Sequence, residues 1–180
     1  VRSHQRERIF EGLESAMGAK GYGDTSVADI IKIAAVSRQT FYELFASKQD
    51  CFLASYGRRQ GAVIEAMLDA PADGPAIRRF GALLRNYLSV MSADPGLSRL
   101  YLVGVYTAGP EAMAIRLELQ QQFVDGVATI FDARTDEDLF MCRALVASIS
   151  TMVTNALIDD DPQAVLDLYD SLVEMAKRLM

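Results

Sequence analysis

The chain has 180 residues, 51% of them apolar, with a formal charge of −6 and neither an internal repeat nor a low-complexity segment. That is enough for a sizeable core in one large or two small domains. A single histidine, His4, and two distant cysteines, Cys51 and Cys142, leave no metal-binding pair and no nucleophile signature, so an enzyme is not expected and no cofactor or metal is implied.

The first predicted element is a helix from about Gln5 to Lys20. Ile9, Phe10, Leu13, Ala16 and Met17 fall on one face, and Gly18, Gly21 and Gly23 mark its end. A second helix begins at Ser26, where Ser26 and Asp29 have the spacing of a capping box and Val27, Ile30, Ile31 and Ala34 follow at helical spacing. Ala35 and Val36 form a tight connection, and Ser37 is placed to cap a third helix starting at about Arg38. Phe41, Leu44 and Phe45 pack inward, leaving Arg38, Gln39, Thr40 and Tyr42 outward near its amino end. Two short helices joined in this way are the layout of a helix-turn-helix DNA reader.

A fourth helix from about Gln49 to Leu68 carries Phe52, Leu53, Tyr56, Val63, Ile64 and Met67. Breaks at Pro71-Ala72-Asp73-Gly74-Pro75, Asp94-Pro95-Gly96, Gly109-Pro110, Asp132 to Asp136 and Asp159 to Pro162 divide the remainder into five helical segments. No alternating strand pattern occurs, so the expected fold is all-α with about nine helices. Asp159-Asp160-Asp161 reads as a solvated turn before Pro162 and not as a cation site. No apolar run approaches the roughly 20 residues of a membrane helix, and residues 1–10 lack a signal-peptide pattern. The expectation is a cytoplasmic protein with no membrane partner and free buried thiols.

Ala34-Ala35-Val36-Ser37-Arg38, Thr40-Phe41-Tyr42, Phe45 and Ser47-Lys48 together resemble the signature of TetR-type transcriptional regulators, over a stretch from about Arg6 to Tyr56. Two positions depart from it. Ala35 stands where the family usually has Gly, at a cost of about 1 kcal/mol if its φ is positive. Ile31 stands where a small Ala is common. The resemblance implies a helix-turn-helix DNA-binding domain over residues 1–47 and a helical effector-binding and dimerisation domain over 48–180. It also implies repression by a homodimer on a palindromic operator, with release by a ligand that shifts the fourth helix.

Within that frame Arg38, Gln39 and Thr40 are the base-contact candidates, because Arg pairs with guanine, Gln with adenine and a Thr methyl with thymine. Ser26, Ser37, Tyr42 and Lys48 are the phosphate candidates, Lys48 at the amino end of a helix where the dipole favours anions. Glu43 reads either as a solvated residue or as an acceptor for a cytosine amine. The overall charge opposes DNA binding, but its distribution does not. Residues 1–60 hold nine Lys or Arg against seven Asp or Glu, a balance of +2, whereas residues 61–180 stand at −8. Arg2, Arg6, Arg8, Lys32, Arg38, Lys48, Arg58 and Arg59 allow a modest positive face.

The effector has no motif of its own. Tyr87, Met91, Tyr101, Tyr106, Met113, Phe123 and Met152 supply aromatic and thioether side chains for an apolar small molecule, with Asn86, Arg99, Thr107, Arg116, Gln120 and Asn155 available to orient it. The last two segments are apolar around more than one face. Leu139, Cys142, Val146, Ile149, Val153, Leu168, Leu172 and Met175 are the candidate dimer surface, beside a second face of Met141, Leu145, Ser148, Met152 and Ala156. Small residues Ala144, Ala147, Ser148 and Thr151 permit close approach, and which face meets the partner is left open. The competing reading is a helix-turn-helix scaffold whose bundle binds a protein.

Overall fold

The computed structural model describes residues 2–71, 73–159 and 161–180, so Ala72 and Asp160, which fall in two of the expected breaks, lie outside the described residues. Among the described residues there are nine α-helices and no strand: α1 (Arg2–Asp24), α2 (Val27–Ala34), α3 (Arg38–Leu44), α4 (Lys48–Leu68), α5 (Ala76–Ala93), α6 (Pro95–Gly104), α7 (Pro110–Phe131), α8 (Asp136–Ile158) and α9 (Pro162–Leu179). A short 3-10 turn, Val105–Thr107, follows α6. The α1 helix is longer than its sequence pattern foretold, but it kinks at Gly21, whose φ of 78° is open to glycine and strained for other residues.

The chain forms two compact units, Val1–Gln60 with Leu100–Met113, and Gly61–Arg99 with Ala114–Met180. The first unit therefore takes in more than the expected 1–47. The reason lies in its core, where Phe52 and Tyr56 of α4 and Tyr101 of α6 are buried with ring centroids about 6 Å apart. In the same core, Ile9, Phe10, Leu13, Ala16 and Met17 of α1 are all buried, as their spacing foretold. α1 and α2 approach so closely that a Cβ on Gly12 would sit 2.7 Å from the Ile30 carbonyl oxygen. A buried polar cluster joins three helices: the Tyr101 hydroxyl donates to Glu14 Oε1 at 2.8 Å and shares a hydrogen bond with Ser55 Oγ. Burial raises the Tyr101 hydroxyl pKa well above its ordinary value.

The second unit is held mainly by apolar side chains of α5, α7, α8 and α9. Phe80, Leu84 and Leu88 of α5 and Val165, Leu172 and Ala176 of α9 are buried in it, and the Phe80 and Phe131 rings lie 5.6 Å apart. Polar ties are few: Asn86 donates to the Ala66 carbonyl at 2.8 Å, Arg79 donates to the Ile130 carbonyl at 2.7 Å, and the Arg85 guanidinium stacks 4.0 Å from the Tyr169 ring.

α8 changes one expectation. It is 23 residues long, and its most apolar 18-residue stretch has a mean hydropathy of 1.4, long and apolar enough by length and composition to cross a membrane although no unbroken apolar run marks it. Part of that apolar surface has a local use. Cys142, Leu145, Val146, Val153, Ala156 and Leu157 are core, while Asp136, Glu137 and Asp138 make its first turn acidic.

Candidate nucleic-acid interface

The reader is built from caps. Ser26 accepts the Asp29 N–H at 3.2 Å, and Asp29 accepts the Ser26 N–H at 2.8 Å and its hydroxyl at 2.6 Å, so the predicted capping box is complete. The Ser26 hydroxyl, Lys20 at 2.9 Å and the Ser26 N–H hold the Asp29 carboxyl well below the usual carboxylate range. α2 stops at Ala35, which adopts φ 50° and ψ 49° in the left-handed region. The strain anticipated for an Ala at this turn is thus real, and Arg8 of α1 donates to the Ala35 carbonyl at 2.7 Å. Ser37 then caps α3 by accepting the Thr40 N–H at 3.0 Å.

α3 turns Phe41 into the core, where it is fully buried against Phe45, and this decides what faces outward. Arg38, Gln39, Tyr42 and Glu43 are exposed and Thr40 is half-buried. The Ser37 and Thr40 hydroxyls share a 2.8 Å hydrogen bond, and Gln39 Nε2 donates to Glu43 Oε1 at 2.8 Å. Tyr42 stands edge-on against the Phe41 ring, 5.4 Å between centroids. Base candidates Arg38, Gln39 and Thr40 therefore lie along the amino-terminal turns of one short helix.

The phosphate candidates separate into two kinds. Ser26 and Ser37 are exposed beside helix amino ends, each with its oxygen already accepting a cap hydrogen bond. Lys48 is tied inward: its ammonium donates to the Tyr22 carbonyl at 2.7 Å and rests 4.1 Å from the Tyr22 ring centroid, and burial lowers its pKa. Several expected basic residues are likewise engaged. Arg6 stacks on Phe10 and Phe45, Arg8 holds the turn, and Arg58 pairs with Glu7 and Glu14. Lys32 and Arg38 are exposed, which makes the positive face narrower than a count of charges implies.

The expected effector residues are divided between the two units. Tyr87 and Phe123 meet in the second unit, 6.3 Å between ring centroids, and Met91 is buried there. Tyr101 belongs to the first unit's polar cluster, Met113 is half-buried in that unit, and Tyr106 is 56% exposed. Met152 lies on the outside of α8, lining a shallow depression with Ala147, Ser148 and Thr151. Sequence reading passed over Ser98, whose hydroxyl is buried in α6 without a hydrogen-bond partner and carried no pattern to signal it.

Packing within the chain divides the dimer candidates. Cys142, Val146, Val153 and Leu172 are buried inside this chain, and Leu139, Ile149, Leu168 and Met175 are half-buried. The apolar surface left outside on α8 is Phe140, Ala147, Met152 and Ile158, with Ala144, Ser148 and Thr151 between them.

With this geometry in view, residues 9–55 match the family model of bacterial regulatory proteins, tetR family. Over those residues the chain is similar to the TetR family. The matched family and the curated relative are regulatory proteins. The chain is 22% identical to the fatty acid metabolism regulator protein of Bacillus subtilis (strain 168), over 93% of this chain and 91% of that one. Its fold is that of the transcriptional regulator FadR from Bacillus subtilis in complex with stearoyl-CoA, with a TM-score of 0.80, 19% identity, and 94% and 96% of the two chains covered. The fatty acid degradation regulator FadR from Bacillus halodurans is similar in fold, with a TM-score of 0.79, 14% identity, and 95% and 93% coverage.

Proposed function

We propose that this chain is a TetR-type, ligand-released repressor that binds a palindromic operator as a homodimer, reading DNA with residues 1–47 and sensing a long-chain acyl effector with residues 48–180. The observation that carries the reading is α3. Its amino end is capped by Ser37, its inner side is locked by Phe41, and Arg38, Gln39 and Thr40 occupy the turns a recognition helix offers to base edges. Ser26, Ser37 and Tyr42 flank it as phosphate contacts. Lys48 contributes by holding the Tyr22 carbonyl, and through that the end of α1.

Dimerisation is supported by α8, whose outward stripe of Phe140, Ala144, Ala147, Thr151 and Ile158 pairs exposed apolar groups with small residues that allow two helices to approach. Two readers about 34–36 Å apart fit half-sites one helical turn apart. An acyl effector is supported by the likeness to fatty-acid regulators and by the apolar interior of the second unit. Effector and operator then oppose each other reciprocally.

Selection of bound duplexes from a random pool, at several salt concentrations, tests this reading. An enriched palindrome that disappears in Arg38→Ala, Thr40→Ala and is released by stearoyl-CoA is expected. Binding that is weak, salt-labile and sequence-independent would refute the operator reading, whereas an operator complex indifferent to stearoyl-CoA would refute the acyl effector alone.

A further inference from the structure

The outermost line of α3 belongs to two residues that are joined to each other. At 3.6 residues per turn, the positions two before and two after Phe41 stand about 160° around the helix from it. Phe41 is fully buried, so Gln39 and Glu43 are the exposed side chains aimed most directly away from the core. Gln39 Nε2 donates to Glu43 Oε1 at 2.8 Å, and this is the hydrogen bond that Glu43 makes among the described residues.

This hydrogen bond decides what the pair can present. An amide whose nitrogen is turned toward a carboxylate leaves its carbonyl oxygen directed elsewhere, and a carboxylate has acceptors only. The far tip of the reader is therefore rich in acceptors, in contrast with the Arg38 donors beside it. In the major groove adenine N6 and cytosine N4 donate, whereas guanine O6 and N7 and thymine O4 accept.

We propose that Gln39 and Glu43 act as one unit that selects an amino-bearing base, adenine or cytosine over guanine or thymine, on one defined strand at one position of each half-site. Glu43 holds the Gln39 amide in one orientation and repels the acceptor edges of guanine and thymine, so specificity at that base pair depends on the charge of residue 43. The inference rests on the operator reading above and goes beyond it by assigning a chemical class of base to a residue that the charge pattern alone marks as unfavourable for DNA.

The test is selection of duplexes by the full chain at one fixed salt concentration, comparing wild type with Glu43→Gln, Glu43→Ala and Gln39→Ala. Both sites are exposed, and thermal unfolding is expected to stay unchanged. Wild type is expected to enrich adenine or cytosine over guanine and thymine at one position per half-site, on the same strand relative to the Arg38-dependent positions in both half-sites. Glu43→Gln frees the amide to turn and removes the charge, lowering discrimination at that position by about tenfold or more while the Arg38-dependent positions keep theirs. A motif that is identical in wild type, Glu43→Gln and Glu43→Ala would overturn the proposal. So would a Glu43→Ala variant that binds every sequence more tightly by the same factor, since the carboxylate would then only repel phosphate. A wild type that enriches no motif at all would instead sink the operator reading, and the inference with it.

Discussion

In the first unit, polar side chains define the shape at the points that matter for reading DNA: Ser26 and Asp29 start α2, Arg8 holds the strained turn at Ala35, Ser37 starts α3, and Glu14 gathers Tyr101 and Arg58. In the second unit the same work falls to apolar packing of α5 on α9 and α8 on α9, with only scattered polar ties such as Asn86 to Ala66. The difference teaches where a sequence is readable. A cap or a turn is set by residues three or four apart, while the allocation of an apolar residue to core, pocket or partner surface depends on which helices meet.

The comparison breaks most sharply at two phenylalanines. Phe41→Ala should cost about 3–5 kcal/mol in urea unfolding, because a fully buried ring that positions the reader is lost. Phe140 is 61% exposed on α8, and Phe140→Ala should change monomer stability by less than about 0.5 kcal/mol while weakening self-association in sedimentation. A destabilisation as large as that of Phe41→Ala would place Phe140 in the core and remove it from the proposed partner surface. At the polar cluster, Tyr101→Phe keeps the ring but leaves Ser55 and Glu14 without its hydroxyl, for an expected loss of about 1–3 kcal/mol. No loss in that variant would mean that the first unit relies on apolar packing as heavily as the second.

A gain is expected next. Ala35→Gly relieves a left-handed residue and should stabilise the chain by about 1 kcal/mol, read as a raised Tm. The smallest effect depends on pH. Asp29 has its folded pKa depressed below the ordinary value of 3.8 by the Ser26 hydroxyl, Lys20 and the Ser26 N–H, so its contribution is present above that pH and is lost as the pH falls. Asp29→Asn should therefore lower the Tm at pH 7, with the difference from wild type shrinking as the solution is acidified below about pH 4. A gap that stays constant with pH would show that Asp29 acts through its shape and not its charge.

Most of the fold was legible because its punctuation is local. Ser26, Ser37, Pro95, Pro110 and Pro162 each mark the start of a helix and Gly21 kinks one, for reasons contained within one turn of chain, and the cost that a positive φ would place on Ala35 followed from a single departure in a motif. The site was legible as positions but not as commitments. Lys48 reads as a phosphate ligand by its place at a helix start, yet Tyr22 is the group that it holds, 26 residues away in sequence. Tyr101 reads as pocket lining and is instead hydrogen-bonded to Glu14, 87 residues away. On α8, heptad-like spacing gave two apolar faces of similar strength, and only the packing of α9 determines which one is covered.

The close approach of α1 and α2 at Gly12 also sets how freely this chain can vary. With the Ile30 carbonyl oxygen only 2.7 Å from where a Cβ would stand, even alanine must push two helices of the reader apart. Gly18 and Gly23 on the same helix have nothing within 4 Å of a Cβ. Saturation libraries at these three codons would return one residue at the first and many at the others, so drift in the opening helix is steered toward its solvent side while the seam beneath the reader stays fixed.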